Sequence, residues 1–304
     1  MTSVSSAAWD LSHLHPSAQD AAHLPDEERL QHVRADRWIG YHCAADALAR
    51  LETLLRWPRK QRMPNLLIVG PTNNGKSMII EKFQRDHPRF AKDGAMTVPV
   101  LVMQTPSNPT LTRFYSAVLS ALDTEVWPRA PAAELERRAL ADLEECSVGL
   151  LVLDELHNML AGNTARRREF LNLLRHLGNA LRIPLVGVGT HDAHLALRSD
   201  DQLENRFAPL VLPRWAPDEQ ARSLLASFAA SFPLRRRSPI TTPEMTRYLI
   251  ERSEGTIGEL ATLLCQAATV AITTGEEAIN ATTLGQADYL GPTERRRAFT
   301  RALS

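Results

Sequence analysis

One stretch in the first third of this 304-residue chain decides its fold, and it reads Leu66-Leu67-Ile68-Val69-Gly70-Pro71-Thr72-Asn73-Asn74-Gly75-Lys76-Ser77. Its first four residues form an apolar run typical of a buried strand, and the remainder matches the pattern GxxxxGK[ST]. A helical spacing of apolar residues begins directly after it. A strand, a loop with two glycines and a helix in this order indicate a loop that binds phosphate groups.

The residue types of this loop suit a nucleoside triphosphate. Gly70 and Gly75 give the backbone the freedom to turn its N–H groups inward. We expect Lys76 to bring its charge to the β- and γ-phosphates, the Ser77 hydroxyl to ligate Mg²⁺, and the following helix to add its positive N-terminal end. The predicted cofactors are therefore ATP and Mg²⁺. The predicted nucleotide contacts in and beside the loop are Gly70, Pro71, Thr72, Asn73, Asn74, Gly75, Lys76, Ser77 and Met78.

A second apolar run, residues 149–153, ends in two carboxylates, Asp154 and Glu155. We predict that Asp154 holds the magnesium ion, directly or through water. Glu155, one position further on, is placed to polarise the attacking water as a general base. Together with the phosphate loop, this pair indicates a nucleotide hydrolase or a nucleotide-dependent switch.

Two further positions are predicted to act at the γ-phosphate. A third apolar run, residues 184–188, leads to Thr190, whose hydroxyl is able to contact the γ-phosphate or the attacking water; the alternative is a turn residue that caps the next segment. Arg206 ends a polar stretch, and we predict that it reaches the nucleotide of a neighbouring subunit as an arginine finger. Arg198 is the competing candidate, and a solvated loop arginine is the other alternative.

Strand and helix patterns alternate along the first two thirds of the chain, which predicts an α/β fold with a parallel sheet and helices on both faces. After Pro213 only helical patterns remain, so a small all-helical domain is expected to follow. The predicted strands are 65–69, 98–104, 149–153 and 184–188, and the predicted helices are 41–55, 77–85, 111–122, 166–181, 218–231, 243–253 and 257–273. The predicted domains are an N-terminal arm (1–35), a nucleotide-binding core (36–213), a helical lid (214–290) and a basic C-terminal tail (291–304).

The composition restricts the possible partners and compartment. Thirty-five basic residues balance 35 acidic ones, so no field of the whole protein attracts it to nucleic acid. Three widely spaced cysteines, Cys43, Cys146 and Cys265, predict neither a disulfide framework nor a structural zinc site. The first residues lack the pattern of a signal peptide, and no apolar run is long enough to span a bilayer. We therefore expect a cytoplasmic protein that does not contact membranes.

Local basic clusters are the candidates for contact with duplex DNA. Arg168, Arg175 and Arg182 are seven residues apart, which places them on one face of the predicted helix, although this face is equally compatible with solvent or a neighbouring subunit. Thr112 and Arg113 follow the predicted strand 98–104 and offer a hydroxyl and a charge to the phosphate backbone. No base-reading motif accompanies these residues. We therefore predict binding that depends on phosphates and salt and not on base sequence.

Several segments together resemble the TniB family, the ATP-binding accessory proteins of certain bacterial transposons, related to TnsC and MuB. The resemblance extends over about residues 30 to 290. Its Walker motifs are shared by all P-loop ATPases, whereas the first two segments are the more specific ones. The segments are Arg37-Trp38-Ile39-Gly40-Tyr41, Arg62-Met63-Pro64-Asn65-Leu66-Leu67, the phosphate loop, Asp154-Glu155-Leu156-His157-Asn158-Met159-Leu160 and Gly187-Val188-Gly189-Thr190.

This resemblance implies a P-loop AAA+ parallel sheet sandwiched by helices and followed by a helical lid. It implies an ATPase that forms a homo-oligomer, a ring or a filament, on duplex DNA with ATP and recruits a cognate DDE transposase. It also adds Ile39 and Tyr41 to the expected nucleotide contacts. One departure is in the lid, where residues 254–260 contain no basic residue at the place of a second-sensor arginine. Slow hydrolysis is therefore expected.

Two alternative functions remain compatible with the sequence. The first is a helicase loader or a replication-initiator-like AAA+ ATPase, which shares the nucleotide-binding core and the dependence on DNA. The second is a scaffold that binds ATP without significant hydrolysis and acts only through protein partners. The C-terminal arginines, from Arg295 to Arg301, suit a partner-binding peptide in any of these functions, or a solvated terminus.

Overall fold

The computed structural model describes residues 9–92, 94–107, 110–127, 129–160 and 164–303. The chain forms two compact units. The first, Cys43–Pro213, is the nucleotide-binding unit, and the second, the helical unit, joins the described residues up to His42 to those from Arg214 onward.

Every predicted strand and helix is present, with ends that lie within two residues of the prediction, and further elements accompany them. In chain order they are α1 (Pro16–Ala22), α2 (Asp26–Arg34), α3 (His42–Leu55), β1 (Asn65–Val69), α4 (Lys76–Asp86), β2 (Phe90–Lys92), β3 (Ala95–Thr97), β4 (Val100–Gln104), α5 (Leu111–Ala121), α6 (Ala132–Glu145), β5 (Leu150–Asp154), α7 (His157–Leu160), α8 (Thr164–Leu181), β6 (Leu185–Gly189), α9 (His191–Arg198), α10 (Asp201–Glu204), β7 (Phe207–Val211), α11 (Glu219–Ser231), α12 (Pro243–Arg252), α13 (Ile257–Thr273), α14 (Ala281–Gln286) and α15 (Pro292–Leu303).

The nucleotide-binding unit contains a five-stranded sheet in the order β4-β5-β6-β1-β7, and every neighbouring pair is parallel. Helices flank this sheet, which confirms the predicted α/β class. All five residues of β1 are buried, as a central strand requires. The strand that precedes the phosphate loop therefore lies inside the sheet, with β6 between it and β5.

The edge strand β7 was not among the predicted strands. Its sequence contains Pro209, which has no backbone N–H to donate and is therefore compatible with an edge position. β7 pairs with β1 on one side, with Asn65 opposite Phe207 and Val69 opposite Val211. Helix α6 and the β2–β3 hairpin are also additions to the sequence prediction.

The core of the nucleotide-binding unit fills the space between the sheet and helices α5, α6 and α8. Phe114, Val118 and Phe170 have no exposed surface, and Leu151 and Leu185 of the sheet contribute to the same cluster. Buried aromatic and branched aliphatic side chains of this kind supply most of the favourable free energy of folding. The sheet and these helices therefore form a rigid support for the loops at the strand ends.

The helical unit surrounds a second apolar core built from α11 to α14. The segment 1–35, which the sequence separates as an arm, contributes to it through α2, because Val33 is fully buried in the same cluster. The apolar residues of this segment show little helical periodicity, which made its helices difficult to predict. Among the described residues, no single helix has the length and apolarity to cross a membrane; α12 and α13, bent by 112° relative to each other, meet the criteria of length and composition only as a pair.

A buried arginine fixes α2 within the helical unit. The Arg29 side chain is fully buried and donates hydrogen bonds to Glu277 and to the carbonyl oxygen of Pro233, at 2.8 Å for the shorter of the two carbonyl contacts. Glu277 also pairs with Arg235 at 3.3 Å. Burial of a charge is tolerated only when it is paired and hydrogen-bonded in this way.

We predict that Arg29→Met lowers the free energy of unfolding by about 3–5 kcal/mol, because the buried Glu277 carboxylate loses its main partner. Urea denaturation followed by circular dichroism measures the change. The matched control is Arg247→Met, since Arg247 is exposed, and it is expected to shift stability by no more than about 0.5 kcal/mol. Equal effects of the two substitutions would contradict the structural role of Arg29.

Candidate active site

The predicted catalytic motifs converge at one edge of the sheet. In parallel strands all carboxyl ends point to the same edge. The register places Val69 opposite Gly189 and Gln104 opposite Asp154. The phosphate loop after β1, the two carboxylates at the end of β5 and Thr190 after β6 therefore lie on the same side of the molecule.

The loop shape is set by two residues with left-handed backbone conformation, Asn73 with φ of 59° and Gly75 with φ of 80°. Gly75 thus adopts the positive φ that glycine allows, as the sequence predicts. Gly70 does not, because its φ is not positive; its role is to allow close packing. A Cβ atom at Gly70 would lie 2.9 Å from the carbonyl oxygen of Leu212, a distance that real Cβ atoms do not adopt.

Asn74 connects the loop to the segment after β7. Its side chain is buried, and its Nδ2 donates to the carbonyl oxygens of Leu212 at 3.1 Å and Pro213 at 2.9 Å. A buried amide with satisfied donors is a stable anchor. The side chain of Asn74 therefore fixes the loop to the segment after β7, and its contact with a nucleotide stays a prediction.

Lys76 is buried inside the loop, where its Nζ donates to the carbonyl oxygens of Gly70 at 2.9 Å and Pro71 at 2.6 Å. Burial lowers the pKa of this lysine, and the nearby charges of Glu155 and Asp154 partly oppose that shift. Among the described residues, the ammonium group hydrogen-bonds to carbonyl oxygens and not to a carboxylate, which matches it well to an anion. The loop therefore fits the phosphates of ATP.

The predicted magnesium ligands contact each other directly. The Ser77 hydroxyl donates to Oδ2 of Asp154 at 2.9 Å, and Oδ1 of the same carboxylate accepts from the backbone N–H of Glu155 at 2.8 Å. A hydroxyl and a carboxylate oxygen side by side are the hard donors that Mg²⁺ selects. These residues fit the ion that the sequence predicts.

Glu155 has a left-handed backbone conformation, with φ of 55°. Two residues that the sequence analysis did not single out hold it. The Thr105 hydroxyl donates to the carbonyl oxygens of Asp154 at 2.9 Å and Glu155 at 2.5 Å, and Nε2 of His157 lies 3.1 Å from Oε2 of Glu155. Thr105 follows β4 directly, so its position at the carboxyl edge of the sheet is the signal that would have found it.

Thr190 occupies the N-cap position of α9, yet its side chain makes no capping hydrogen bond. Its Oγ1 is shielded from solvent and has no hydrogen-bond partner in the described part of the chain. The alternative that it caps the next segment therefore lacks the bond it requires. A buried hydroxyl without a partner at this edge of the sheet is available to a γ-phosphate or a water molecule.

Arg206 lies at the opposite edge of the sheet. Its carbonyl oxygen accepts from the N–H of Asn65, the first residue of β1, and its guanidinium donates to Asn179 at 3.1 Å. A five-residue strand spans roughly 16 Å, so Arg206 does not reach the phosphate loop of its own chain. It lines a groove of about 750 Å³ together with Lys60 and Arg62. Arg198, the competing candidate, pairs with Glu204 at 2.9 Å.

Ile39 and Tyr41 belong to the helical unit, where both pack against its apolar core. The Tyr41 ring meets Trp215 edge to face, with ring centroids 5.3 Å apart. Their contact with the nucleotide stays a prediction.

The predicted DNA contacts fall on two surfaces. Thr112 and Arg113 are exposed in the first turn of α5. Arg168 is exposed on α8, whereas Arg175 is partly neutralised by Asp200, 3.5 Å away. With Arg167, these two arginines line a groove of about 390 Å³.

The prediction that Arg182 extends the arginine face of α8 is wrong. The helix ends at Leu181, and Arg182 has a left-handed backbone conformation with φ of 52°. The seven-residue spacing therefore continues past the end of the helix, and the face contains Arg168 and Arg175 without it.

Comparison with solved structures identifies the same architecture in archaeal proteins. The Aeropyrum pernix ORC2 protein, solved as ADPNP-ADP complexes, has a TM-score of 0.60 and 19% identity, with 84% of this chain and 70% of that chain covered. The Aeropyrum pernix ORC1 protein in complex with DNA has a TM-score of 0.57 and 18% identity over 84% and 68%. Cdc6p from Pyrobaculum aerophilum has a TM-score of 0.55 and 16% identity over 84% and 68%.

No curated protein matches the sequence significantly. The family model of the bacterial TniB protein matches residues 29–217, more than half of the chain. The phosphate loop, the carboxylates at the end of β5 and the strand between them all lie within this range. The chain therefore belongs to the TniB family and has the P-loop AAA+ fold.

Proposed function

We propose that this AAA+ ATPase is an ATP-dependent regulator of DNA transposition, which assembles on duplex DNA with ATP and recruits a DDE transposase. Membership of the TniB family supports the context of transposition. The observation that carries the ATPase function is the placement of Lys76, the Ser77–Asp154 pair and Glu155 at one edge of the sheet.

The residues of this edge divide the work of hydrolysis among them. Lys76 exchanges the carbonyl oxygens of Gly70 and Pro71 for phosphate oxygens, which satisfies its buried charge. Ser77 and Asp154 hold the magnesium ion, which neutralises charge on the phosphates when it is bound. Glu155 accepts a proton from the attacking water, and the Thr190 hydroxyl contacts the γ-phosphate or that water.

Assembly completes the site in this proposal. Because Arg206 lies at the far edge of its own sheet, it acts on the nucleotide of a neighbouring subunit in a ring or filament. A guanidinium at a developing phosphate charge accelerates hydrolysis by orders of magnitude. Hydrolysis is then slow in free subunits and stimulated where DNA promotes assembly.

Contact with duplex DNA is proposed for Thr112, Arg113, Arg168 and Arg175. The similar ORC1 structure was solved in complex with DNA, which supports a DNA-bound state for this architecture. Each contact is weak alone, and repetition along an oligomer adds the contacts together. Assembly with ATP therefore controls DNA binding.

The lid gives one reason to keep slow hydrolysis in this proposal. Residues 254–260 contain no basic side chain. The arginine nearest to them in the sequence, Arg252, donates to the carbonyl oxygens of Leu284 at 3.4 Å and Tyr289 at 3.1 Å and is thereby used inside the helical unit. A scaffold that binds ATP without hydrolysis is the alternative that this feature favours.

We predict that Lys76→Ala removes ATP-dependent assembly, whereas Glu155→Gln prolongs the assembled state. Lys76 is needed to bind phosphate, and Glu155 acts only on the attacking water. Light scattering after addition of ATP measures assembly, and phosphate release measures turnover. The base assignment fails if Glu155→Gln disassembles as fast as the wild type.

Arg206→Ala is expected to reduce ATPase activity by at least about 10-fold, with nucleotide affinity of the free subunit unchanged. Mixing it with Lys76→Ala subunits is expected to restore part of the activity, because each variant supplies the half-site that the other lacks. Arg198→Ala, mixed in the same way, tests the competing candidate. Loss of nucleotide binding without restoration in the mixture would identify Arg206 as a structural residue.

Affinity for duplex DNA is expected to require ATP and to be nearly independent of base sequence. Fluorescence anisotropy of labelled duplexes, measured against salt with ATP, with ADP and without nucleotide, gives the affinity. Arg113→Ala is expected to abolish binding, removal of the residues from Arg295 onward to cost less, and the exposed control Arg247→Ala to cost nothing. Tight binding without nucleotide, or strong preference between unrelated duplexes, would support a sequence-reading initiator instead.

A further inference from the structure

We propose that His157 is a positioning residue that orients the carboxylate of Glu155 toward the attacking water. This inference rests on the proposed ATPase function and adds a residue to it. The ring nitrogen Nε2 of His157 lies 3.1 Å from Oε2 of Glu155, within hydrogen-bond distance. Since a carboxylate only accepts hydrogen bonds, the proposed bond requires Nε2 to carry the hydrogen.

The backbone that carries Glu155 is fixed before its side chain is considered. The Thr105 hydroxyl holds the two successive carbonyl oxygens of Asp154 and Glu155. The N–H of Leu156 donates to the carbonyl oxygen of Val188 in the neighbouring strand at 2.8 Å. This support maintains Glu155 in a left-handed conformation that an L-residue adopts rarely. The carboxylate therefore starts from a defined Cα–Cβ direction.

The His157 ring is fixed as well. Its other nitrogen, Nδ1, is shielded from solvent and has no hydrogen-bond partner among the described residues. A Cβ atom at Gly189 would lie 3.7 Å from Nδ1, so the ring packs against the backbone of β6 at a position where the chain has no side chain. The tautomer with hydrogen on Nε2 leaves no N–H group of the ring unsatisfied. The ring therefore presents one donor in one direction.

The result is a base with one oxygen engaged and one oxygen available. The bond to His157 engages Oε2, and Oε1 remains for the attacking water. Half-exposed glutamate side chains otherwise sample many rotamers, and a misplaced base loses rate. Because the two residues are only two positions apart, nucleotide binding does not need to create this contact. The pair is therefore ready before ATP arrives.

The test separates turnover from binding. His157→Ala is expected to lower kcat about 10- to 100-fold while KM and the affinity for a fluorescent ATP analogue stay unchanged. His157→Gln is expected to recover part of kcat, because its amide N–H group is able to donate to Glu155. In a Glu155→Gln background, His157→Ala is expected to have no further effect.

His176→Ala is the matched control, since His176 forms a similar pair with Glu136, at 3.0 Å, on α8 and α6. It is expected to leave kcat unchanged. An unchanged or raised kcat in His157→Ala would overturn the proposal, and so would a loss of ATP affinity equal to the loss of kcat, which indicates a structural role.

Nitrogen-15 NMR of the histidine side chains tests the pair without turnover. His157 is expected to carry its hydrogen on Nε2 in the wild type, and to lose this preference in Glu155→Ala. The same tautomer mixture in both proteins would overturn the proposal even if the protein hydrolyses ATP. If instead the tautomer is as expected and the wild type shows no hydrolysis with ATP and DNA, the proposed function fails and the pair itself stands.

Discussion

The parallel pairing of β1 with β6 and β7 is the constraint on which the rest of the site depends. It brings Val69, Gly189 and Val211 to the same level, one step before three different loops begin. Because buried main-chain hydrogen bonds fix the strand ends, the three loops start at the same level of the sheet. The phosphate loop begins with Gly70, which packs against the carbonyl oxygen of Leu212 at a distance that leaves no space for a Cβ atom. The sheet therefore determines where the loops of the candidate site begin, and the side chains determine what those loops contact.

Several polar side chains at this edge already have partners within the described chain, and Thr190 Oγ1 is an exception. Lys76 donates to carbonyl oxygens of its own loop, Ser77 donates to Asp154, and Nε2 of His157 lies 3.1 Å from Oε2 of Glu155. Under the proposed function, Lys76 and the Ser77–Asp154 pair exchange these contacts for phosphate and metal, whereas Glu155 and His157 keep theirs. The residues proposed to bind ATP would then change partners, and those proposed to prepare its hydrolysis would not.

The sequence predicted the central elements well because their signals are local. A buried apolar run followed by GxxxxGK[ST] specifies β1, its loop and α4. The edge strand β7 was difficult to predict because Pro209 argues against a strand unless its edge position is known. Thr105 and His157 became visible only when the sheet placed them beside Glu155, since contacts between separate loops leave no periodic pattern. Arg182 shows the converse error, because the seven-residue spacing was carried one residue beyond the predicted and observed end of the helix at residue 181.

Pro209 has a consequence for how copies of this chain meet. The N–H of Asn65 donates to the carbonyl oxygen of Arg206, and the N–H of Leu212 donates to the carbonyl oxygen of Val69. The main-chain N–H and C=O groups of the even-numbered residues of β7 therefore point toward β1, and the main-chain nitrogen of Pro209 points away from it. The unpaired side of β7 thus lacks a main-chain N–H donor midway between Phe207 and Val211. A strand from another chain would not find a continuous row of hydrogen-bonding groups there. Pairing of a second chain along this edge of the sheet is therefore disfavoured.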